Sequence, residues 1–205
     1  MCDISPNSYR KDNEWNDCKN INKGWKLWEQ ELSNFEDHWH HDFQVFRPAD
    51  RPENFAFIHK NTLFIGLNIV GGRVHNRTEW SLRLSGQASW AKGLIKAHTN
   101  GAASVQQARA VVIFGHANPT PAHDAFFQPL KLFIRNNLAV DIPVLYLNGD
   151  AHLWSYNSSF FDVNQLLRIQ LTGGTSEPPL QVIVAPSDHA VDNLAENVFL
   201  YDRRL

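Results

Sequence analysis

Three short groups place side chains of metal-binding or acid–base type at the ends of expected structural elements: Asp12-Asn13-Glu14, Gly115-His116 and Gly149-Asp150-Ala151-His152. The last two each follow a wholly apolar run, Ala110 to Phe114 and Pro143 to Leu147, the pattern of strands buried on both faces. In open α/β sheets, ligand sites gather at the carboxyl ends of such strands. His116, Asp150 and His152 are therefore expected to converge although they are distant in sequence. Imidazole and carboxylate together suit Zn, Fe or Mn better than Ca. Glycine before each ligand permits a sharp turn and clears space beside it. Taken singly, each group has a plainer reading. A lone His after a strand is usually a hydrogen-bonded core or rim residue, Asp after Gly is common turn chemistry, and a polar tripeptide ahead of a helix is an ordinary helix entry.

Other ligand-rich stretches are less telling. Asp37-His38-Trp39-His40-His41-Asp42 is dense in donors, and His38 and His40 share a face if the stretch is extended, but no second ligand group lies near it in sequence. It reads as a solvated segment leaving the first helix. Ser85-Gly86 and Ser187-Asp188-His189 lack the Gly-x-Ser-x-Gly turn after a strand that a serine hydrolase of the α/β type requires. His59, His75, His98, His123 and His189 have no evident partner and are assigned to surface or core.

The elements that must position these groups follow from periodicity. Trp25, Trp28, Leu32 and Phe35 form the stripe of an amphipathic helix over Lys23 to Glu36, with one face expected to pack inward. Phe55 to His59 and Leu63 to Val70 read as two strands of a hairpin around Lys60-Asn61-Thr62. Trp80, Leu84, Ala88, Ala91, Leu94 and Ile95 trace a second helix that stops near Asn100-Gly101, and a third helix fits Asp124 to Asn137. Strand, helix and strand in that order suggest a βα unit in an α/β fold, with further strands at Leu167 to Leu171, Leu180 to Val184 and Val198 to Tyr201.

Composition narrows the functional class. The 205 residues are 43% hydrophobic and carry 19 basic and 21 acidic side chains, a net charge of −2. That excludes a disordered chain, and a pI near 6.5 gives no electrostatic footprint for nucleic acid or an acidic membrane. Apolar runs fall far short of the roughly 20 residues of a membrane span, and the first residues lack the apolar core of a secretory signal, so a soluble chain of unassigned compartment is expected. Cys2 and Cys18 read as free thiols, and the acceptor triplets at Asn76 and Asn157 carry little weight.

Read in order, DNEWNDC at 12–18, FIHKNTLFIGLNIVGG at 57–72, NRTEW at 76–80, VVIFGHANP at 111–119 and VLYLNGDAHLW at 144–154 resemble the calcineurin-like metallophosphoesterase superfamily along nearly the whole chain. The likeness is to a branch in which the usual Gly-Asn-His-Asp/Glu motif takes the form Gly-Asp-Asn-Glu followed by Trp, and the final Gly-His-x-His the form Gly-Asp-x-His. The resemblance implies a four-layer α/β/β/α sandwich and a two-metal hydrolase of phosphoric esters, using Mn, Fe or Zn. By position, Asp12 matches an oxygen ligand of the second metal, Asn13 stands where the family has a catalytic His, and Glu14 is that residue's hydrogen-bonding support. His116 matches the second-metal His, while Asp150 and His152 match the last pair, His152 belonging to the first metal. Two ions roughly 3.5–4 Å apart clamp a phosphate and activate a bound water.

The departures are as informative. The family opens with Asp-x-His and Gly-Asp-x-x-Asp, which supply most of the first metal site and the bridging carboxylate, and neither stands before Asp12. Eleven residues precede Asp12, too few for two strands with crossovers of a dozen or more residues each. Lys11 also replaces the expected glycine. The expectation is a single domain over residues 1–205 whose amino-terminal part is missing, a partial sandwich with at most one partial metal site and weak or no activity by itself. The alternative is a non-catalytic remnant acting as a binding or interaction module. The substrate class is a phosphate ester, with no nucleic-acid or membrane partner and with self-association through sheet surface left exposed.

Overall fold

A computed structural model describes residues 21–72, 74, 76–101, 105–173, 177–185 and 195–204. They fall into two compact units that divide between Asp42 and Phe43.

In the first unit, α1 covers Ile21–Glu31 and a short 3-10 turn follows at Phe35–His38. The stripe expected to face inward is instead exposed at Trp25, Leu32 and Phe35. Its side chains satisfy one another locally: Trp25 stacks on Trp28 at 4.9 Å, its indole N–H donates to Glu29 at 2.7 Å, and Phe35 meets Trp39 edge to face. The His38–Asp42 stretch leaves this turn, with His38 and His40 exposed.

The second unit is built on one mixed sheet of six strands. Its strands are β1 (Phe55–His59), β2 (Thr62–Gly66), β3 (Ala110–Phe114), β4 (Val144–Asn148), β5 (Ser155–Asn157) and β6 (Leu166–Gln170), in the order β1-β2-β3-β4-β6-β5. The four inner strands run parallel, and β1 and β5 close the edges antiparallel. The expected hairpin is present. His59 pairs with Thr62, so Lys60 and Asn61 alone make the turn, both at positive φ, which is the two-residue geometry that matches the twist of the flanking strands.

The second expected strand is shorter than its apolar run. β2 stops at Gly66; Leu67 N–H still donates to the Phe114 C=O at 2.9 Å, and beyond it the chain bonds elsewhere, Asn68 N–H donating to the Asn54 side chain at 2.8 Å and Asn68 C=O accepting from Arg83 at 3.0 Å. Apolar composition therefore continues past the ladder. β5, with its polar Ser155–Asn157 sequence, has no apolar alternation to announce it and owes its state to pairing with β6.

Two helices cover one face. α2 (Arg77–Thr99) joins β2 to β3 and α3 (Asp124–Asn137) joins β3 to β4. Because β2, β3 and β4 step across the sheet in one direction, right-handed crossovers place both helices on the same side. Leu84, Ala88, Ala91 and Ile95 of α2 and Phe126, Phe127, Leu130 and Ile134 of α3 pack there on Leu63, Ile65, Val111, Ile113, Val144 and Tyr146. The opposite face carries Val112, Leu145, Leu167 and Ile169, covered by the one-turn α4 (Ala195–Val198) and a two-stranded ribbon of β7 (Gln181–Val184) and β8 (Phe199–Asp202). Alternate residues of each inner strand thus serve two cores, which is why the strands read as unbroken apolar runs.

Candidate functional site

The carboxyl ends of β2, β3 and β4 lie side by side, so the loops that follow them form one edge of the sheet. Loop 67–72 braces loop 115–118: the Ile69 C=O accepts from the N–H groups of His116 at 3.0 Å and Ala117 at 2.9 Å. The His116 C=O in turn accepts from Gly149 N–H at 3.3 Å and Asp150 N–H at 3.1 Å. Backbone bonds alone thus hold the residues after β3 against those after β4.

This brings His116 and Asp150 together. His116 Nε2 stands 3.4 Å from Asp150 Oδ1, with the two side chains 33% and 31% exposed, buried enough to be held and open enough to be reached. The other carboxylate oxygen, Oδ2, accepts from Asn118 N–H at 3.1 Å. Gly71 backs the same carboxylate so closely that a Cβ there would lie 2.7 Å from Asp150 Cγ.

Glycine at 115 serves a purpose other than clearing space for an ion. A Cβ there would meet the Tyr146 hydroxyl oxygen at 2.8 Å, and its absence lets that hydroxyl donate to the Ala117 C=O at 2.9 Å. Burial pushes the Tyr146 phenol well above its ordinary pKa, with the Arg168 charge opposing and the Asp150 charge adding to the shift. It remains a neutral donor beneath the His116 loop.

A guanidinium ties the same loop to the neighbouring strands. Arg168, on β6, donates from Nη2 to Asn118 Oδ1 at 2.7 Å and to Gln170 Oε1 at 2.6 Å, and from Nε to Asn148 Oδ1 at 3.0 Å. Asn148 Nδ2 also donates to Gln170 Oε1 at 3.0 Å, and the Arg168 guanidinium lies 5.5 Å over the Phe160 ring. Burial lowers the Arg168 pKa from its ordinary value, yet a guanidinium stays charged at neutral pH. The chain Arg168–Asn118–Asp150–His116 is continuous.

Motif spacing does not single out Gly71, Asn118 or Arg168. Arg168 alone carries a sequence signal, in the strand LLRIQ at 166–170, where an Arg and a Gln interrupt an otherwise apolar run.

The remaining expected site residues are placed differently. His152 is exposed with φ +54°, and its ring lies against Gly173. Among the described residues no three His, Cys, Asp or Glu side chains come close enough to share an ion, so His152 does not join His116 and Asp150. Asp12, Asn13 and Glu14 lie outside the described residues. Of the other histidines, His123 is buried between Thr120 and Val70, with Nδ1 3.0 Å from the Thr120 hydroxyl and Nε2 3.0 Å from the Val70 C=O, a core role.

The donor set can be tested against a metal. Two ligands bonded at about 2.1 Å to one tetrahedral ion stand about 3.4 Å apart. The His116–Asp150 spacing fits that edge, and the imidazole–carboxylate pair suits Mn, Fe or Zn. The described residues supply two donors, short of the three protein ligands that catalytic sites commonly use.

No protein-family model, curated protein or solved structure matches the chain. Among the described residues no helix is long and apolar enough to cross a membrane.

Proposed function

We propose that this chain is of the calcineurin-like metallophosphoesterase lineage, a metal-dependent phosphoric-ester hydrolase, and that His116 and Asp150 are two ligands of one divalent ion. The observation that carries the reading is the 3.4 Å approach of these two side chains at the ends of neighbouring parallel strands. The sheet with two helices on one face and a β ribbon on the other is compatible with part of a four-layer sandwich.

A bound ion would supply Lewis-acid polarisation of a phosphoryl oxygen. The chain's own part is positional. Asn118 N–H and the bare Gly71 backbone orient the Asp150 carboxylate, the Ile69 and His116 carbonyls hold the two loops in register, and Arg168 fixes Asn118. With two donors among the described residues, the expected state is one weakly held ion and feeble turnover.

Mn2+ titration calorimetry on the 205-residue chain tests the site, with His116→Ala and Asp150→Asn each expected to abolish binding. Hydrolysis of bis(p-nitrophenyl) phosphate is then compared with a longer chain that carries Asp-x-His and Gly-Asp-x-x-Asp ahead of Asp12. Turnover that appears only in the longer chain supports the reading. Strong turnover by the short chain, abolished by His116→Ala, refutes the need for those motifs. Absence of Mn2+ binding favours the non-catalytic remnant.

A further inference from the structure

Beside the Asp150 loop lies a cavity of about 170 Å³, walled by Trp154, Gly173, Pro178 and Pro179, with Glu177 and Arg203 among its polar groups. Its apolar walls combine the Trp154 ring and two prolines with Leu171 and Leu180. For scale, a cavity of roughly 150 Å³ accommodates benzene, so this one has room for a six-membered ring.

The polar groups are a fixed donor–acceptor pair. Arg203 Nη2 donates to both Glu177 carboxylate oxygens, at 3.0 and 3.1 Å, and the Thr172 hydroxyl donates to Glu177 Oε2 at 2.7 Å. The guanidinium is stacked 4.5 Å over the Trp154 ring, which immobilises it. Thr172 and Arg203 hold the Glu177 carboxyl below the usual carboxylate range, so it stays an acceptor at neutral pH. These bonds use three of about four lone-pair sites on the carboxylate and leave Arg203 with further N–H groups. Both side chains are about a quarter exposed. Together they offer one acceptor beside one donor, with no net charge, which complements a ring N–H beside a ring C=O and disfavours a bare anion.

The cavity also adjoins the metal-ligand pair. Gly173 is in a left-handed conformation at φ +73°, and a Cβ there would stand 3.4 Å from His152 Cδ2 and 3.8 Å from the Gly149 C=O. Its wall is therefore shared with the loop that carries Asp150.

We infer that this cavity recognises a single six-membered lactam ring, the pyrimidine base of a nucleoside phosphate whose phosphoryl group faces His116 and Asp150. The assignment of the phosphoryl end rests on the function proposed above. The base pocket itself does not.

The experiment is a nuclear magnetic resonance titration of the full 15N-labelled chain with uridine, adenosine, ribose 5-phosphate and uridine 5′-monophosphate, the last with and without Mn2+ at calorimetric readout. Uridine is expected to shift the Trp154 indole and Gly173 amide signals at millimolar concentration, whereas adenosine and ribose 5-phosphate leave them in place. Glu177→Gln should weaken uridine about tenfold while Mn2+ binding is unchanged, and Trp154→Phe, which keeps a flat ring, should retain most of it. Uridine that leaves both signals unmoved, or adenosine that shifts them equally, overturns the pocket. Mn2+ is expected to tighten uridine 5′-monophosphate about tenfold over uridine, a gain lost in His116→Ala. Uridine binding without that gain sustains the base pocket and overturns its link to the metal pair.

Discussion

A methyl group added at Gly71 would run into the Asp150 carboxylate, whose position is otherwise defined by one backbone N–H and one imidazole. Asp150 would have to swing aside, because the obstacle is a short side chain on a loop already bonded to His116. Gly149, immediately before Asp150 in the chain, faces open space on its Cβ side. Gly71→Ala is therefore expected to weaken Mn2+ binding about tenfold, equivalent to about 1.4 kcal/mol, while Gly149→Ala leaves it unchanged. Calorimetry on both variants checks this. Equal losses would mean that backbone freedom, not room for the carboxylate, is what these glycines provide.

Among the elements, α2 has the most explicit start. Asn76 is extended, and its Oδ1 accepts from the N–H groups of Thr78 and Glu79, each at 3.0 Å, satisfying two of the donors that a helix leaves bare at its first turn. Glu79 then accepts from Arg83 Nε at 2.9 Å, and Arg83 lies 4.9 Å over the Trp80 ring while bonding the Asn68 C=O. The helix start is thus tied to the loop that braces His116. Asn76→Ala is expected to cost about 1 kcal/mol and Asn76→Gly only a few tenths. For a chain of this length the Ala variant should melt about 2–4 °C lower. Denaturant unfolding of both variants checks the ranking, and identical losses would count against a side-chain cap.

On the scale of the whole second unit, the two faces of the sheet are unequally covered. The helical face is closed by α2 and α3, whereas α4 and the β7–β8 ribbon cover the inner-strand residues of the other. Over β1, β2 and the end of β3 runs a row of stacked rings: Phe43 on Phe57 at 4.5 Å, Phe57 on Phe64 at 4.9 Å and Phe64 near Phe114 at 6.4 Å. The first three are half-buried and Phe114 is exposed. A contiguous aromatic patch on a sheet face favours association, since each copy offers apolar area to the next. Phe57→Thr with Phe114→Thr, both compatible with strand geometry, is expected to reduce concentration-dependent association in sedimentation velocity without loss of the fold. Unchanged association would place the sticky surface elsewhere.

What the amino-acid order determines by itself here is local and periodic. Unbroken apolar runs such as AVVIF and VLYL between turn residues suit strands covered on both sides, the i, i+3, i+4 spacing from Trp80 to Ile95 puts those residues on one helix face, and Asn61 suits a positive φ in a two-residue turn. These place His116 and Asp150 just after two strands, and the pairing of β3 with β4 brings them together. The amphipathic stripe of α1 shows the limit of such reasoning: periodicity states which residues share a face, and only packing decides whether anything covers it. The same limit governs the site. His152 stands two residues from Asp150, yet its backbone is left-handed at φ +54° and its ring lies against Gly173. Gly71 and Asn118 reach the carboxylate, and Arg168 reaches Asn118, from three segments that lie 79, 32 and 18 residues from Asp150, brought together by the pairing of the strands. Local sequence sets backbone state because its forces act over a few residues, whereas the mutual placement of side chains from different strands is a property of the assembled sheet.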